Sequence, residues 1–225
     1  MKKLTIKSIV DFKNRSDRSK QNFVTALKLD KQKSNTSKGG DYWKICVSAI
    51  SNAFKLYDIE FINDKIIEFE EKLKITKIKI TQLMYKRNID ILYGYKDFNL
   101  KKWRPEKKLL FETKHKERLV LNIKGLEIQA DASFVFKFQK DQIEEIGAVW
   151  FIANKDGYKK DELGMFVDVL YRYLKANYSK ECKVNTKYCI AIDVSSKTEI
   201  NYSQLETGEV PMKLSSLLDE INKLM

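Results

Sequence analysis

Between Leu126 and Phe138 the chain reads LEIQADASFVFKF, and its apolar and polar residues alternate almost strictly. Leu126, Ile128, Ala130, Ala132, Phe134, Phe136 and Phe138 fall on one side; Glu127, Gln129, Asp131 and Ser133 fall on the other. A period of two predicts a strand with one covered face, because successive side chains leave a pleated backbone in opposite directions. Upstream, Arg118 to Ile123 predicts a partner strand, joined through a tight turn at Lys124-Gly125. Downstream, Gly147 to Ala153 is apolar on both sides, as for a central strand covered by helices on either face. Asp161 to Asn177 predicts an amphipathic helix with Leu163, Phe166, Val167, Leu170 and Leu174 inward. A short buried strand over Cys189 to Ser195, an edge strand over Glu199 to Tyr202 and a last helix carrying Leu214, Leu217, Leu218, Ile221 and Leu224 complete the half. This order predicts an α/β protein with a small mixed sheet flanked by helices.

The first half reads differently. Leu4 to Leu29 predicts two short helices, the second opening near Ser19 with Phe23, Val24 and Leu27 on one face. Lys28 to Gly40 is polar and ends in a glycine pair, as a connector does. Asp41 is a plausible N-cap for a helix to about Tyr57, with Cys46, Ile50, Ala53, Phe54 and Tyr57 as its core stripe. A further helix is expected from Asn63-Asp64, with Ile66, Ile67, Phe69 and Leu73 inward, continuing through LKITKIKITQ to Leu92. The division predicted is therefore a basic, mainly helical region over residues 1–116, whose helix 41–57 packs on an α/β core over 117–225.

Charge separates the halves as sharply. Met1 to Gly125 holds 30 basic and 15 acidic residues, whereas Leu126 to Met225 holds 13 basic and 16 acidic, so the net charge of +12 arises wholly in the first half. Such an asymmetry is expected of a surface that meets a polyanion, DNA or RNA. Between Tyr93 and Glu117, aromatic residues interleave with cations. Lys101, Lys102, Trp103, Arg104, Lys107 and Lys108 are the candidates there for phosphate and base contact. The same pattern equally describes aromatic anchors of an irregular connection with lysines in solvent, and Trp43, Trp103 and Trp150 read as core or anchor side chains.

Several chemistries are excluded. With a single histidine, His115, a His-rich metal site or a Ser-His-Asp triad is improbable. The 3 cysteines, Cys46, Cys182 and Cys189, form no C-x-x-C pair and fit a reducing compartment. No apolar h-region opens the chain and no uncharged run is long enough to span a bilayer, so a cytoplasmic protein without membrane contact is expected. Phosphate-cradling glycine loops are absent.

Helix, strand, strand, strand, helix, strand, with Ala130-Asp131 on the second strand and Lys155 ending the third, resembles the core of the restriction-endonuclease-like PD-(D/E)XK superfamily. The resemblance covers the last half of the chain plus the helix from Asp41. In that family an acid near the end of the second strand and another acid two residues before the lysine hold Mg²⁺. It implies Asp131 as a metal ligand and catalytic residue, Lys155 as the catalytic water or phosphate partner, and metal-dependent phosphodiester hydrolysis. It also implies a bacterial defence system or mobile element as the setting. The intervening acid departs from the pattern, because Ala153-Asn154-Lys155 places alanine at the carboxylate position. Glu127, on the same strand face as Asp131, is the first candidate to replace it as a metal ligand. Asp161, Glu162 and Asp168 are others, and Asp193 is a strand-end acid that more often caps the following turn. The alternative to a nuclease-like, nucleic-acid-binding protein is a non-enzymatic module for protein interaction or assembly.

Overall fold

The computed structural model describes residues 3–29, 42–113 and 119–225. The polar connector read over Lys28 to Gly40 and His115 lie largely or wholly outside the described residues. Within them the elements run β1 (Leu4–Thr5), α1 (Ile6–Lys13), α2 (Asp17–Lys28), α3 (Lys44–Leu56), α4 (Glu60–Ile75), α5 (Lys79–Tyr93), a 3₁₀ turn (Leu100–Trp103), β2 (Leu110–Phe111), β3 (Val120–Ile123), β4 (Leu126–Gln129), β5 (Phe134–Lys140), β6 (Ile143–Ile152), α6 (Lys160–Tyr178), β7 (Lys183–Asp193), β8 (Thr198–Asn201), α7 (Tyr202–Glu206) and α8 (Leu214–Leu224). The protein is thus mixed α/β, with two mixed sheets. One is ordered β2-β5-β6-β7-β8 and the other β1-β4-β3.

β6 is the central strand, antiparallel to β5 and parallel to β7 across the crossover helix α6. From Ile146 onward both of its faces are covered, which is why the sequence there is apolar throughout. Ile146 and Ala148, with Cys189 and Ala191 of β7, join Leu163, Val167 and Leu170 of α6 in one core. Val149, Phe151, Ile190 and Ile192 point the other way, into a second core with Ile50 and Phe54 of α3. α3 thus packs on this face of the sheet, with Cys46 fully buried on it as a small apolar side chain, while Asp41, read as its N-cap, lies outside the described residues.

The long alternating stretch is two strands and not one. β4 ends at Gln129 and β5 begins at Phe134, in a different sheet. Ala130 and Ala132 remain on the α6 side with Leu126 and Ile128, but Val135 takes that side next. Phe134, Phe136 and Phe138 face the α3 side instead, around Phe54. A one-residue change of phase moves the whole aromatic set to the other face. Ser133 bridges the break: its amide donates to the Val149 carbonyl at 2.9 Å and its hydroxyl accepts from the Phe151 amide at 2.9 Å. The hairpin turn at Lys124-Gly125 has the positive φ values, 53° and 80°, that a primed turn requires.

Two helical expectations are corrected. LKITKIKITQ does not continue one helix, because α4 ends at Ile75 and α5 begins at Lys79. Ile67, read as inward, is exposed. The β-branched, lysine-spaced run around Ile78 is a poor helix interior, and nothing among the described residues packs there to override that preference.

α1 docks on α6 through charge. Lys13 Nζ lies 2.7 Å from Asp161 and 3.3 Å from Glu162. Burial raises the Asp161 pKa, but the hydrogen bond and charge of Lys13 outweigh it and hold the carboxyl below its ordinary range. Burial likewise lowers the Lys13 pKa and is outweighed by Asp161 and Glu162, which raise it. A depressed carboxyl stabilises the fold above the unfolded Asp pKa and ceases to do so as pH falls through its lowered value. The raised lysine acts in the opposite sense, and its contribution is lost as pH rises through its folded pKa. Replacing Lys13 by Met is expected to cost about 1–2 kcal/mol near pH 7. The cost should fade below about pH 4, where a free carboxylate is itself protonated. Urea unfolding of both chains across pH 3–8 checks this.

Candidate nucleic-acid interface

Asp131 stands in the passage between β4 and β5. Its neighbours Ala130 and Ala132 are buried, so Gln129 and Asp131 leave the backbone on the opposite side. Phe134 pairs with Val149, which places the start of β5 at the C-terminal end of β6. Thr5 pairs in parallel with Gln129, which brings the first turn of α1 to the same place. The result is a cavity of about 300 Å³ lined by Lys7, Trp43, Gln129, Asp131, Trp150 and Phe166, among others. Trp150 meets Phe166 edge-on at 5.2 Å.

Lys155 is not in that cavity. It lines an adjoining one of about 330 Å³ with Arg87, Asp90, Asp156 and Ser195, and Trp43 is a wall of both. The two candidate catalytic residues are therefore neighbours across a tryptophan, not partners in one site. Glu127 is not brought to Asp131 either. It pairs opposite Asn122 on β4, is exposed, and lines neither cavity.

The other acids are engaged elsewhere. Asp161 is paired with Lys13. Glu162 is buried and accepts from the Lys159 amide at 3.0 Å, closing the N-terminus of α6. Asp168 is buried and paired with Arg172 at 2.8 Å. Asp193 is wholly buried and accepts from the amides of Tyr158 (2.8 Å) and Ser195 (3.0 Å) and from the hydroxyl of Ser196 (2.9 Å), with Ser195 Oγ 2.6 Å away. It caps the turn after β7 and ties it to the loop carrying Lys155.

Mg²⁺ requires several hard oxygen ligands in a near-octahedral set. Among the described residues no group of three or more His, Cys, Asp or Glu side chains could hold a metal ion. Among the described residues Asp131 is the sole carboxylate lining its cavity, and Ala153 offers nothing at the position where the motif has its second acid. These donors do not fit the metal site that the motif describes.

Of the six residues proposed for nucleic-acid contact, two are structural. Trp103 is 2% exposed, its indole N–H donating to Glu199 Oε2 at 2.6 Å. Arg104 is 4% exposed and spends its guanidinium on the carbonyls of Phe54, Lys55, Glu106 and Lys107. Lys102 is exposed and paired with Glu199 at 2.9 Å. Lys101, Lys107 and Lys108 are exposed, with no carboxylate partner among the described residues.

Comparison with protein-family models, curated proteins and solved structures finds no match. The site is therefore read from its own geometry. Sequence reasoning missed Lys7 and the role of Trp43. Lys7 arrives through β1, two residues long, too short to leave a periodic signal. Trp43 precedes α3 without the spacing that would tie it to β5 or β6. No helix among the described residues is long and apolar enough to cross a membrane.

Proposed function

We propose that the protein binds nucleic acid on a nuclease-like α/β core, through the edge of the sheet where Trp43, Asp131 and Lys155 meet. The observation that carries this reading is the surplus of exposed cations. Lys7, Lys74, Lys77, Lys79, Lys86, Arg87, Lys101, Lys107, Lys108 and Lys155 have no carboxylate within ion-pair distance among the described residues. Exposed ion pairs contribute little to folding, so such a surplus is not needed for stability, and self-repulsion makes it a cost unless a polyanion offsets it. The antiparallel pair β5-β6, the crossover α6 and the parallel strand β7 support the resemblance to the restriction-endonuclease-like core. The donor set around Asp131 favours binding over metal-dependent hydrolysis.

The expected result is binding of single- or double-stranded DNA or RNA oligonucleotides whose affinity falls steeply and log-linearly with salt. Lys101→Ala, Lys107→Ala and Lys108→Ala together should lower that salt slope by about 2–3, at roughly 0.7–0.9 per phosphate contact, while the unfolding midpoint stays in place. No Mg²⁺-dependent cleavage is expected; cleavage abolished by both Asp131→Asn and Lys155→Ala would overturn the binding-only reading. A salt-independent or absent interaction would sink the proposal itself.

A second reading, a protein-interaction module, is favoured by the tip of the α4–α5 hairpin. There Ile75, Ile78 and Ile80 are 79%, 66% and 76% exposed, between Lys74, Lys77 and Lys79. Contiguous exposed apolar side chains of this kind mark contact surfaces.

A further inference from the structure

We infer that the cavity beside Asp131 is a pocket for a single unstacked guanine base, an inference that rests on the nucleic-acid reading above and names what its site would hold. Its volume of about 300 Å³ is at the low end of the range for small-ligand pockets, suited to one planar heterocycle and not to a larger ligand. Trp43, Trp150 and Phe166 supply aromatic surface around it. Flat π-faces are what hold a base once it has left the helix stack.

The polar side of the cavity selects among the bases. Gln129 and Asp131 are two residues apart on one face of extended chain, about 6–7 Å along the backbone, which suits the length of a base edge. Neither side chain has a hydrogen-bond or ion-pair partner among the described residues, and Asp131 is exposed to the cavity. A carboxylate only accepts, through two oxygens side by side. It is best satisfied by two adjacent donors. Guanine alone among the common bases has them, in its N1–H and exocyclic amine; adenine, cytosine, thymine and uracil each present a single donor group on that edge. Gln129 then supplies the N–H that the neighbouring O6 of guanine accepts. Lys7, on the same cavity and likewise without a carboxylate partner among the described residues, is placed to meet the phosphate of that nucleotide. The residue that the nuclease motif would use to hold a metal is here a reader of base donors.

The test is a fluorescence titration of the full chain with short oligothymidines carrying one central guanine, inosine, adenine or cytosine, in deoxy and ribo forms, at matched salt. The guanine oligonucleotide is expected to bind about tenfold more tightly than the adenine or cytosine ones, the discrimination of one bidentate contact. Inosine, which lacks the exocyclic amine, should lose most of that preference. Asp131→Asn, an exposed and near-isosteric change that replaces one acceptor by a donor, should bring guanine down to the level of the other bases. Comparison of the deoxy and ribo series assigns the sugar. Equal binding of all bases, or a guanine preference that survives in Asp131→Asn, overturns the pocket while leaving the proposed function standing. Failure of every oligonucleotide to bind overturns both.

Discussion

Replacing Arg104 by alanine is expected to lower the unfolding free energy by about 3 kcal/mol, without changing any nucleic-acid affinity of the fraction that stays folded. The guanidinium sits where α3 ends. The last carbonyls of a helix have no partner within it, and Arg104 Nη1 meets two of them, those of Phe54 and Lys55. Nη2 donates to the Lys107 carbonyl at 2.6 Å and Nε to that of Glu106 at 3.3 Å, so one side chain fixes the helix end to the connection that follows the 3₁₀ turn. The cation also lies 5.0–5.9 Å from the ring centroids of Tyr57, Phe54 and Phe111, which adds attraction that a methyl group cannot replace. Alanine leaves the buried Phe54 carbonyl and three part-buried ones without their donor, and a void beside Phe54. Arg104→Lys should recover less than half of the loss, since one ammonium cannot span four carbonyls in a planar fork. Guanidinium chloride unfolding, read with the salt slope of binding, separates this role from a phosphate contact. A change in the salt slope with an unmoved midpoint would return Arg104 to the interface.

That residue also illustrates what the sequence could and could not reveal. Its neighbours Lys101, Lys102, Lys107 and Lys108 share its charge, and a charge count treats all five alike. Only the tertiary structure distinguishes the guanidinium that finds carbonyls from the ammonium groups that stay in water. Elements with a strong period were legible. The amphipathic stripe of α6, the doubly apolar run of β6 and the Lys124-Gly125 turn are all where the pattern puts them, because burial on one or both faces dictates their residues directly. Where two patterns abut, the sequence misled. Leu126 to Phe138 keeps its alternation across a change of sheet, since an irregular passage of four residues at 130–133 alters the face without altering the spacing of apolar residues. The α4–α5 break fails for a different reason. A helix period and a strand period overlap around Ile78 and Ile80; residues 76–78 adopt neither, the helix resumes only at Lys79, and both isoleucine side chains are left in solvent.

The site was less legible than the fold for a physical reason: it is made by pairing. Asp131 was identifiable from its place on a strand. Its cavity, however, is assembled from β1, the entry to α3, β4 and β6, which lie far apart in the chain. The acids that the sequence offered to complete a metal site were identifiable too, but their partners were not. Lys13 is more than a hundred residues from Asp161 and Glu162 and joins them only because α1 docks on α6.

Asp193 gives the other large effect. Asp193→Ala is expected to destabilise the fold by about 3 kcal/mol, because its loss leaves the buried Tyr158 amide, the part-buried Ser195 amide and a hydroxyl without their acceptor, each a charge-assisted bond. The carboxylate is 0% exposed and its oxygens divide the task. Oδ2 takes the Tyr158 amide and Ser196 hydroxyl, and Oδ1 takes the Ser195 amide. Gly157 packs against this cluster with φ at +72°, and a Cβ there would lie 3.1 Å from Ser196 Cβ and 3.3 Å from Oδ2. The loop that carries Lys155 is thus held at its far end by the strand-end acid of β7. Asp193→Asn should fall between wild type and alanine, since its single oxygen satisfies one set of donors and its NH₂ faces the other. Amide hydrogen exchange at Tyr158 and Ser195 should quicken in both variants, ahead of exchange in the β6 interior. The guanine preference should weaken with it, because Tyr158 is a wall of the cavity that Asp131 lines. Full stability and unchanged exchange in Asp193→Ala would mean that these bonds are dispensable.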